Sequence, residues 1–457
     1  MPSEALIRTP FTALEEGCHL LDSDGEPWGL QIEVQVEGAF EETRLRNAIG
    51  VALDRHPMAR ARLQGVDERG HRLEWEIPEL VDLDPLLVVS CPDAASLSAT
   101  RAAFHSRPLH LSISPPLRVL LARSPGGDIL MLNVNHAVAD GLGALRLMRS
   151  IARAYARDPD PLPYVDPLGV RQELEQRLRQ AGAATQVRRS LVIGAKLLDL
   201  LQPPEHPGSD NEEKGYGFET LEMNVEQTAA LRVPNRSLTV NDVLLCALHL
   251  AISRWIEHTV GRCDLVRVLM GMNLRPREWC QEVVGNLSIM STTSTTPFDR
   301  RTTLGALEVV NSQTRRLKRD GTGAALIEIL GRACELPVWS KRALARTFDD
   351  AGGRLVDTAL LSNLGRIESP SFGDAGRTAG VWYSGPTKRP LGISVGAVSP
   401  DNRLHLVFRY HRSLFTPSSA RNLIACFRHS LDDLGHSLER FGNPQRLAAP
   451  VSGDAPL

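Results

Sequence analysis

The stretch MLNVNHAVADGLG, residues 131–143, decides the fold of this chain. The apolar run from Asp128 to Asn135 is typical of a strand, and it follows another strand-like run across a Ser-Pro-Gly-Gly turn. Residues 142–156 then carry apolar side chains at spacings of three and four, which is the pattern of an amphipathic helix. The sequence therefore predicts a strand, a short loop that contains His136, and a helix.

Three residues around this loop could carry chemistry: His136, Asp140 and Gly141. A histidine at a strand end is held on a rigid base, and its usual pKa of about 6.5 lets it accept a proton near neutral pH. Asp140 could act as a second base or pair with an arginine that braces the loop. Gly141 would permit a backbone conformation closed to other residues and let a ligand approach closely. Because His-x-x-x-Asp-Gly is a weak pattern alone, its place between a strand and a helix is what favours a functional interpretation.

The whole chain has 457 residues, of which 42% are hydrophobic and 23% charged, with a formal net charge of −2. This composition is typical of a soluble globular enzyme with two or three units. The absence of a basic excess argues against nucleic acid or an anionic membrane as a partner. No uninterrupted apolar run predicts a membrane span, and the N-terminus lacks a signal-peptide pattern. We therefore expect a cytoplasmic protein, and a monomer.

Cysteine usage and the common catalytic motifs narrow the chemistry. The seven cysteines are scattered without a Cys-x-x-Cys pair, which predicts neither a disulfide framework nor a thiolate zinc site. Neither a nucleophile elbow of the G-x-S-x-G type nor a Cys–His pair is expected, so a covalent acyl-enzyme is disfavoured. No ATP, NAD or catalytic zinc is expected either. A metal held by His136 and Asp140 is a poor alternative, because no further ligands cluster nearby in sequence.

The best candidate for a domain boundary is QPPEHPGSDNEEKGYG, residues 202–217, which is rich in proline, glycine and acidic residues. It divides the chain into an N-terminal unit, 1–201, and a C-terminal unit, 218–457. Both units alternate strand and helix patterns, which predicts an α/β (α+β) layered fold. A cleft between the two units is the expected place for chemistry.

The segment NHAVADG, residues 135–141, resembles the H-H-x-x-x-D-G signature of the condensation-domain-like acyltransferases. That superfamily includes nonribosomal peptide condensation domains, polyketide-associated acyltransferases and wax ester synthase/diacylglycerol acyltransferases, and it is related to chloramphenicol acetyltransferase. In it the second histidine is the catalytic one, which corresponds to His136. The chain departs from the signature at Asn135, which replaces the first histidine.

Further segments resemble the same superfamily in the same order along the chain. They lie at residues 44–63, 237–248, 272–278, 284–288 and 361–366. The resemblance implies two chloramphenicol-acetyltransferase-like subdomains in a V-shaped pseudo-dimer with a central tunnel. The motif aspartate is usually paired with an arginine and structural, so Asp140 is expected to pair with Arg275, or failing that with Arg277.

The resemblance also implies a substrate tunnel, and Asn135, Asn286 and Ser288 are the residues expected in it. A polar strand edge is the alternative explanation for Asn286 and Ser288. The donors to an oxyanion are not identified by the sequence, although the amide of Gly141 is one candidate.

The implied reaction is acyl transfer to a small-molecule alcohol or amine, with His136 as the general base. The acyl donor would be a thioester on coenzyme A or on carrier-protein phosphopantetheine, with no tightly bound cofactor. Two alternatives stay open: a free-standing condensation enzyme with carrier-bound substrates, and a non-catalytic homologue that binds a carrier protein. Arg146, Arg149 and Arg153 could meet a phosphate or an acidic carrier protein, although a solvated helix face is the favoured interpretation.

Overall fold

The computed structural model describes residues 6–65, 70–161, 165–179, 206–208, 212–232, 238–279, 283–319, 327, 330–343, 357–389 and 391–442. Within these residues the chain forms sheets of three, five and six strands, with helices packed on their faces. This mixed architecture confirms the predicted α/β class.

The strands and helices of the described residues are numbered in chain order. The strands are β1 (Ile7–Pro10), β2 (Gly29–Val36), β3 (Arg62–Leu63), β4 (Glu74–Ile77), β5 (Leu86–Ser90), β6 (Leu117–Arg123), β7 (Ile129–Asn135), β8 (Tyr216–Met223), β9 (Val266–Asn273), β10 (Ser288–Thr295), β11 (Ala359–Ile367), β12 (Thr378–Ser384), β13 (Ile393–Pro400) and β14 (Leu404–His411). The helices are α1 (Ala13–Leu21), α2 (Glu42–Arg55), α3 (Ala94–His105), α4 (Gly141–Ala156), α5 (Gly169–Arg179), α6 (Val225–Ala230), α7 (Val240–Val260), α8 (Thr303–Arg319) and α9 (Pro417–Gly442).

The five-stranded sheet has the order β12-β2-β7-β6-β5, with β7 at its centre. Every residue of β7 is buried, because both faces of the strand are covered. Leu130, Leu132 and Val134 belong to the core that α2 and α4 cover, whereas Met131 packs with Phe104 of α3 on the other face. A strand buried on both sides reads as a continuous apolar run, which is the pattern seen in the sequence.

The six-stranded sheet has the order β10-β9-β11-β13-β14-β8. Its central strand β11 is parallel to both β9 and β13, while the outer pairs are antiparallel. The long helices α7 and α9 pack on this sheet and share one hydrophobic core with it. A separate small sheet, in the order β1-β4-β3, lies near the N-terminus.

The two large sheets are joined by an exchanged strand. β12 belongs by sequence to the C-terminal half but pairs antiparallel with β2, so that Tyr383 lies opposite Ile32. The division into 1–201, 202–217 and 218–457 stays a prediction, and residues 202–205 and 209–211 lie outside the described part of the chain. The last two residues of the 202–217 segment, Tyr216 and Gly217, already belong to β8.

Helix α7 is apolar and long, yet most of it is buried inside the protein. Its length and composition would allow it to cross a membrane, with a mean hydropathy of 1.2, yet 67% of the apolar window is buried inside the protein. Thr239 caps its first turn through a reciprocal pair with Asp242, and Gly261 ends it in the left-handed conformation. These contacts are those of a core helix.

Candidate active site

The loop that joins β7 to α4 is fixed by backbone hydrogen bonds at both of its ends. The amide of His136 donates to the carbonyl of Trp28 at 3.0 Å, and the amide of Asp140 donates to the carbonyl of Gly285 at 3.1 Å. Asp140 is also the N-cap of α4, since its Oδ1 accepts from the Gly143 amide at 2.9 Å. The C-terminal half therefore helps to hold the motif loop in place.

Asp140 and Arg275 form a buried bidentate ion pair across the two halves of the chain. Arg275 Nη2 donates to Asp140 Oδ1 at 2.8 Å, Arg275 Nη1 donates to Oδ2, and the side chains are only 0% and 3% exposed. The amide of Leu287 also donates to Oδ2, at 2.9 Å. The structure thus brings Asp140 to Arg275, whereas Arg277 is exposed.

Gly141 is required by close packing rather than by an unusual backbone conformation. It is absent from the glycines with positive φ, so the expected special conformation is wrong. A Cβ at this position would lie 2.6 Å from Leu364 Cδ2 and 2.8 Å from Tyr383 Oη. The C-terminal half therefore approaches the start of α4 at a distance that only glycine permits.

His136 lines a cavity of about 320 Å³ whose walls come from both halves of the chain. The residue is 5% exposed, and its ring lies near that of Trp28, with ring centroids 6.4 Å apart and planes 17° apart. The cavity is lined by His136, Asp140, Gly141, Leu142, Gly271, Met272, Asn273, Arg275, Ser288, Met290, Leu360, Ser362, Asn363, Leu364, Tyr383 and Pro386. A strand end thus presents an imidazole to an internal space.

Asn135 does not line this cavity, contrary to the prediction that it belongs to a tunnel wall. Its Nδ2 donates to Asp22 Oδ2 at 2.8 Å and to the carbonyl of Leu109 at 3.2 Å. Its Oδ1 accepts from the amide of Ala137 at 3.0 Å. The side chain is buried beneath the loop with both of its polar atoms hydrogen-bonded, and the bond to Asp22 ties the loop to the end of α1.

The two other predicted tunnel residues behave differently from each other. Ser288, the first residue of β10, lines the cavity. Asn286 is buried outside the cavity wall, where its Nδ2 donates to Cys18 Sγ at 3.2 Å.

Neighbouring charges set the protonation of the motif residues. Burial lowers the pKa of His136, but the side chain of Cys18, the residue's own backbone carbonyl and the Asp140 carboxylate raise it, so that the net pKa lies above the usual value. Burial raises the pKa of Asp140, but Arg275 and two backbone amides lower it by more than burial raises it, so that the net pKa lies below the usual value. Asp140 is therefore a carboxylate near neutral pH.

Some residues of the site were missed at the level of sequence. Tyr383 and Ser362 line the cavity from β12 and β11, and their hydroxyl oxygens lie 2.9 Å apart. Cys18 is close enough to His136 to raise the pKa of its imidazole, although a Cys–His pair was not expected. No local motif marks these residues, because the contacts join distant segments of the chain.

Two expectations about other chemistry can be examined in the described residues. The letters G-x-S-x-G do occur, at residues 392–396, but Ser394 lies inside β13 rather than at a strand-to-helix turn. They therefore form no nucleophile elbow. Within the described ranges, no group of three or more His, Cys, Asp or Glu side chains could hold a metal ion.

Comparison with solved structures identifies the fold. The first condensation domain of the calcium-dependent antibiotic synthetase, solved with a substrate analogue, matches with a TM-score of 0.72 at 16% identity, over 96% of this chain and 97% of that one. The fold is thus the chloramphenicol-acetyltransferase-like fold of condensation domains, as predicted.

Sequence comparison identifies the family. The condensation-domain family profile matches residues 18–286. A Mycobacterium tuberculosis protein named only as uncharacterized is 33% identical over 417 residues, which is 87% of this chain and 93% of that protein. A probable nonribosomal peptide synthetase of Salinispora arenicola is 32% identical over 159 residues, or 32% of this chain and 2% of that protein. The chain belongs to the condensation-domain family, which supports condensation-type acyl or peptidyl transfer as the class of reaction.

Proposed function

We propose that this chain is an acyltransferase that moves an acyl group from a thioester to an alcohol or amine, with His136 as the general base. One observation carries the proposal: His136 directly follows a buried strand and lines a cavity built from both halves of the chain. A base held at the end of a rigid strand keeps one place relative to a substrate in that cavity, which favours proton transfer.

In the proposed step the acceptor heteroatom attacks the thioester carbonyl carbon while His136 removes its proton. The new carbon–heteroatom bond forms, the carbon–sulfur bond breaks, and the leaving thiolate takes a proton from the imidazolium. The raised pKa of His136 means that the ring accepts this proton readily but is a free base only above that pKa.

Asp140 acts in this proposal as a positioning residue rather than as a second base. Its two carboxylate oxygens already accept from Arg275 and from the Gly143 and Leu287 amides. A carboxylate that is fully used in this way holds the loop and α4 in register with the C-terminal half. It does not compete with His136 for a proton.

The oxyanion of the tetrahedral intermediate needs a hydrogen-bond donor. The hydroxyls of Tyr383 and Ser362 face the cavity and are 2.9 Å apart, so one can orient the other toward a negative oxygen. Burial raises the pKa of Tyr383, which keeps its phenol protonated and able to donate. We assign the donor role to Tyr383, with Ser362 supporting it.

The acyl donor in this proposal ends in a pantetheine thioester, which coenzyme A and a carrier-protein arm share. The partial match to a nonribosomal peptide synthetase favours the carrier-bound form, and a small molecule is the proposed acceptor. A free-standing condensation enzyme with two carrier-bound substrates is the second candidate. A non-catalytic homologue that only binds a carrier protein is the third.

The test is a donor screen with mass spectrometry of the products. The full chain is incubated with acyl-coenzyme A and acyl-carrier-protein donors and with panels of amines and alcohols, both free and carrier-bound. For a competent pair, His136→Ala should lower turnover by at least about a hundredfold, the usual contribution of a general base. His429→Ala, at an exposed histidine on α9, serves as the control and should leave turnover unchanged.

The candidates give different results in this screen. Product from acyl-coenzyme A supports a stand-alone acyltransferase, and product only from two carrier-bound substrates supports the condensation enzyme. Equal turnover by wild type and His136→Ala would contradict the role of His136. Carrier binding without product from any pair would support the non-catalytic homologue.

A further inference from the structure

A second cavity, of about 280 Å³, lies at the end of the five-stranded sheet where the parallel strands β5 and β6 begin. Its walls come from residues 83–87 and 107–118, and we call it the β5–β6 cavity. The carbonyl of Leu109, in its wall, accepts from Asn135 Nδ2 at 3.2 Å, so the cavity lies near the motif loop. None of the described residues that line it also lines the active-site cavity.

Two arginines line the β5–β6 cavity without a carboxylate to neutralise them. Arg118 lies on β6 and is partly buried, whereas Arg107 follows α3 and is exposed. Neither forms an ion pair with a carboxylate in the part of the chain that the structure describes. Burial, and then the positive charge of Arg107, lower the pKa of Arg118. Because two like charges that share a cavity repel each other, an anion bound between them would stabilise both.

The other ionisable groups in the cavity wall do not cancel this positive charge. Asp84 uses one carboxylate oxygen to accept from the Leu86 amide, at 3.0 Å, and the other to pair with Arg46. His110 is exposed, and its Nδ1 lies 3.6 Å from a carboxylate oxygen of Asp24. The cavity therefore presents two free guanidinium groups and one carboxylate that is already paired.

The rest of the wall is apolar and is formed by segments that are tied together. Leu109 and Leu117 are buried, whereas Leu83 and Leu87 are 55% and 39% exposed. The amide of Leu83 donates to the carbonyl of Ser114 at 3.1 Å, which joins the two segments of the wall. The apolar surface thus begins inside the cavity and continues to the outside of the protein.

We propose that the β5–β6 cavity binds an amphiphilic oxyanion, that is, a carboxylate or phosphate head joined to an aliphatic tail. Guanidinium groups bind both kinds of head through paired N–H donors. The leucines of the wall would bury the tail, as apolar residues do in most small-molecule sites. An inorganic anion would leave this apolar surface uncovered, and a neutral lipid would leave the two arginines repelling each other. The inference does not rest on the proposed acyl transfer.

The experiment is isothermal titration calorimetry of the full chain with octanoate, octyl phosphate, octanol and inorganic phosphate. Titration at two temperatures ensures that a zero heat at one of them does not hide binding. We expect octanoate or octyl phosphate to bind, and the tighter ligand of the two identifies the head group. Octanol carries the tail alone and inorganic phosphate the head alone, so each should bind at least about tenfold more weakly. High salt should weaken the binding of the anionic amphiphile, because it screens the arginines.

Variants of the cavity wall show where the ligand binds. Arg107→Gln and Arg118→Gln each remove one cation and should weaken binding at least about tenfold. Leu87→Glu keeps both arginines but adds a competing carboxylate, and it should weaken binding as well. Arg403→Gln, at an exposed arginine between β13 and β14, is the control and should bind as wild type does. All four positions are at least partly exposed, so the fold is expected to persist, and circular dichroism checks it.

Each outcome supports the inference or overturns it. Binding of either amphiphile that the three wall variants weaken, and that Arg403→Gln does not, supports it. Absence of binding by both amphiphiles overturns it, as does binding that Arg107→Gln and Arg118→Gln leave unchanged. Octanol that binds as tightly as octyl phosphate would show that the arginines hold no anion. Inorganic phosphate that binds as tightly would show that the apolar wall holds no tail, and either result overturns the assignment of an amphiphile.

Discussion

Removal of the Asp140 carboxylate is the most informative single perturbation of this fold. Asp140→Ala would leave the Arg275 guanidinium buried without its carboxylate, and it would also remove the acceptor for the Gly143 and Leu287 amides. Breaking one partner of a buried ion pair costs about 3–5 kcal/mol. We therefore expect the free energy of unfolding to fall by that amount, and acyl transfer to fall with it because the motif loop loses its brace.

A capping variant provides the matched control. Thr239→Ala removes the N-cap of α7 and breaks no buried ion pair. Loss of an N-cap alone costs about 1 kcal/mol. Urea unfolding followed by circular dichroism measures both variants. The gap between them is the part of the Asp140 effect that comes from the ion pair rather than from capping.

A double-mutant cycle completes the test. Arg275→Met removes the guanidinium, so that Asp140→Ala combined with Arg275→Met leaves no unpaired buried charge. We expect the double variant to lose less stability than the sum of the single variants, by up to about 3 kcal/mol. Additive losses, or an Asp140→Ala cost no larger than that of Thr239→Ala, would refute the reasoning.

The same pair predicts the effect of acid on stability. The folded pKa of Asp140 lies below its value in the unfolded chain, which is near 3.8. The stabilisation is therefore complete above the unfolded pKa and is lost as the pH falls through the folded pKa. The difference in unfolding free energy between wild type and Asp140→Ala should thus be constant at neutral pH and shrink only in strong acid.

Three further predictions follow from individual contacts. Tyr383→Phe should keep the fold but lower turnover about a hundredfold or more if the phenol binds the oxyanion; unchanged turnover of a competent donor and acceptor would exclude that role. Gly141→Ala should lower the free energy of unfolding in urea by about 1–3 kcal/mol through overpacking. Gly50→Ala is the control: it lies on α2 with open space around the new Cβ, and it should raise the free energy of unfolding by about 0.5–1 kcal/mol. Equal effects of the two variants would contradict the packing argument. Burial lowers the pKa of His249 to about 3, with a further contribution from Arg300. The imidazole therefore takes up a proton at a higher pH in the unfolded chain than in the folded chain, and wild type loses stability as the pH falls from about 5.5 to 4. His249→Gln should reduce this loss by up to about 1.4 kcal/mol per pH unit, and parallel profiles of unfolding free energy against pH for wild type and variant would argue against a neutral buried imidazole.

The strand and helix on either side of the motif loop could be predicted because short-range sequence patterns determine them. The strand over 128–135 and the helix over 142–156 differ from the observed Ile129–Asn135 and Gly141–Ala156 by one residue. Periodicity and an N-cap depend only on neighbours in the sequence. The assignment of Arg275 to Asp140 came instead from the resemblance to a family, because no spacing rule links the two residues.

Long-range contacts account for what the sequence did not reveal. The pairing of β12 with β2 joins segments from the two halves of the chain. The side chain of Cys18, which raises the pKa of His136, comes from a segment more than a hundred residues away. Arg146 gives a third example: its basic helix face predicted a solvated side chain, yet it is 2% exposed and pairs with Asp160. A basic residue on a helix face is predicted to be solvated, because the sequence near it does not show the distant acidic residue that pairs with it in the fold.

The hydrogen bonds of Asn135 explain why it can replace the first histidine of the motif. The amide group donates to Asp22 and to the carbonyl of Leu109 and accepts from the Ala137 amide. One imidazole nitrogen cannot donate twice, so a histidine could not reproduce this set of bonds. Since Asp22 is the C-cap residue of α1, Asn135 joins the motif loop to the end of that helix. The departure from the family signature therefore leaves His136 in place and ties its loop to α1.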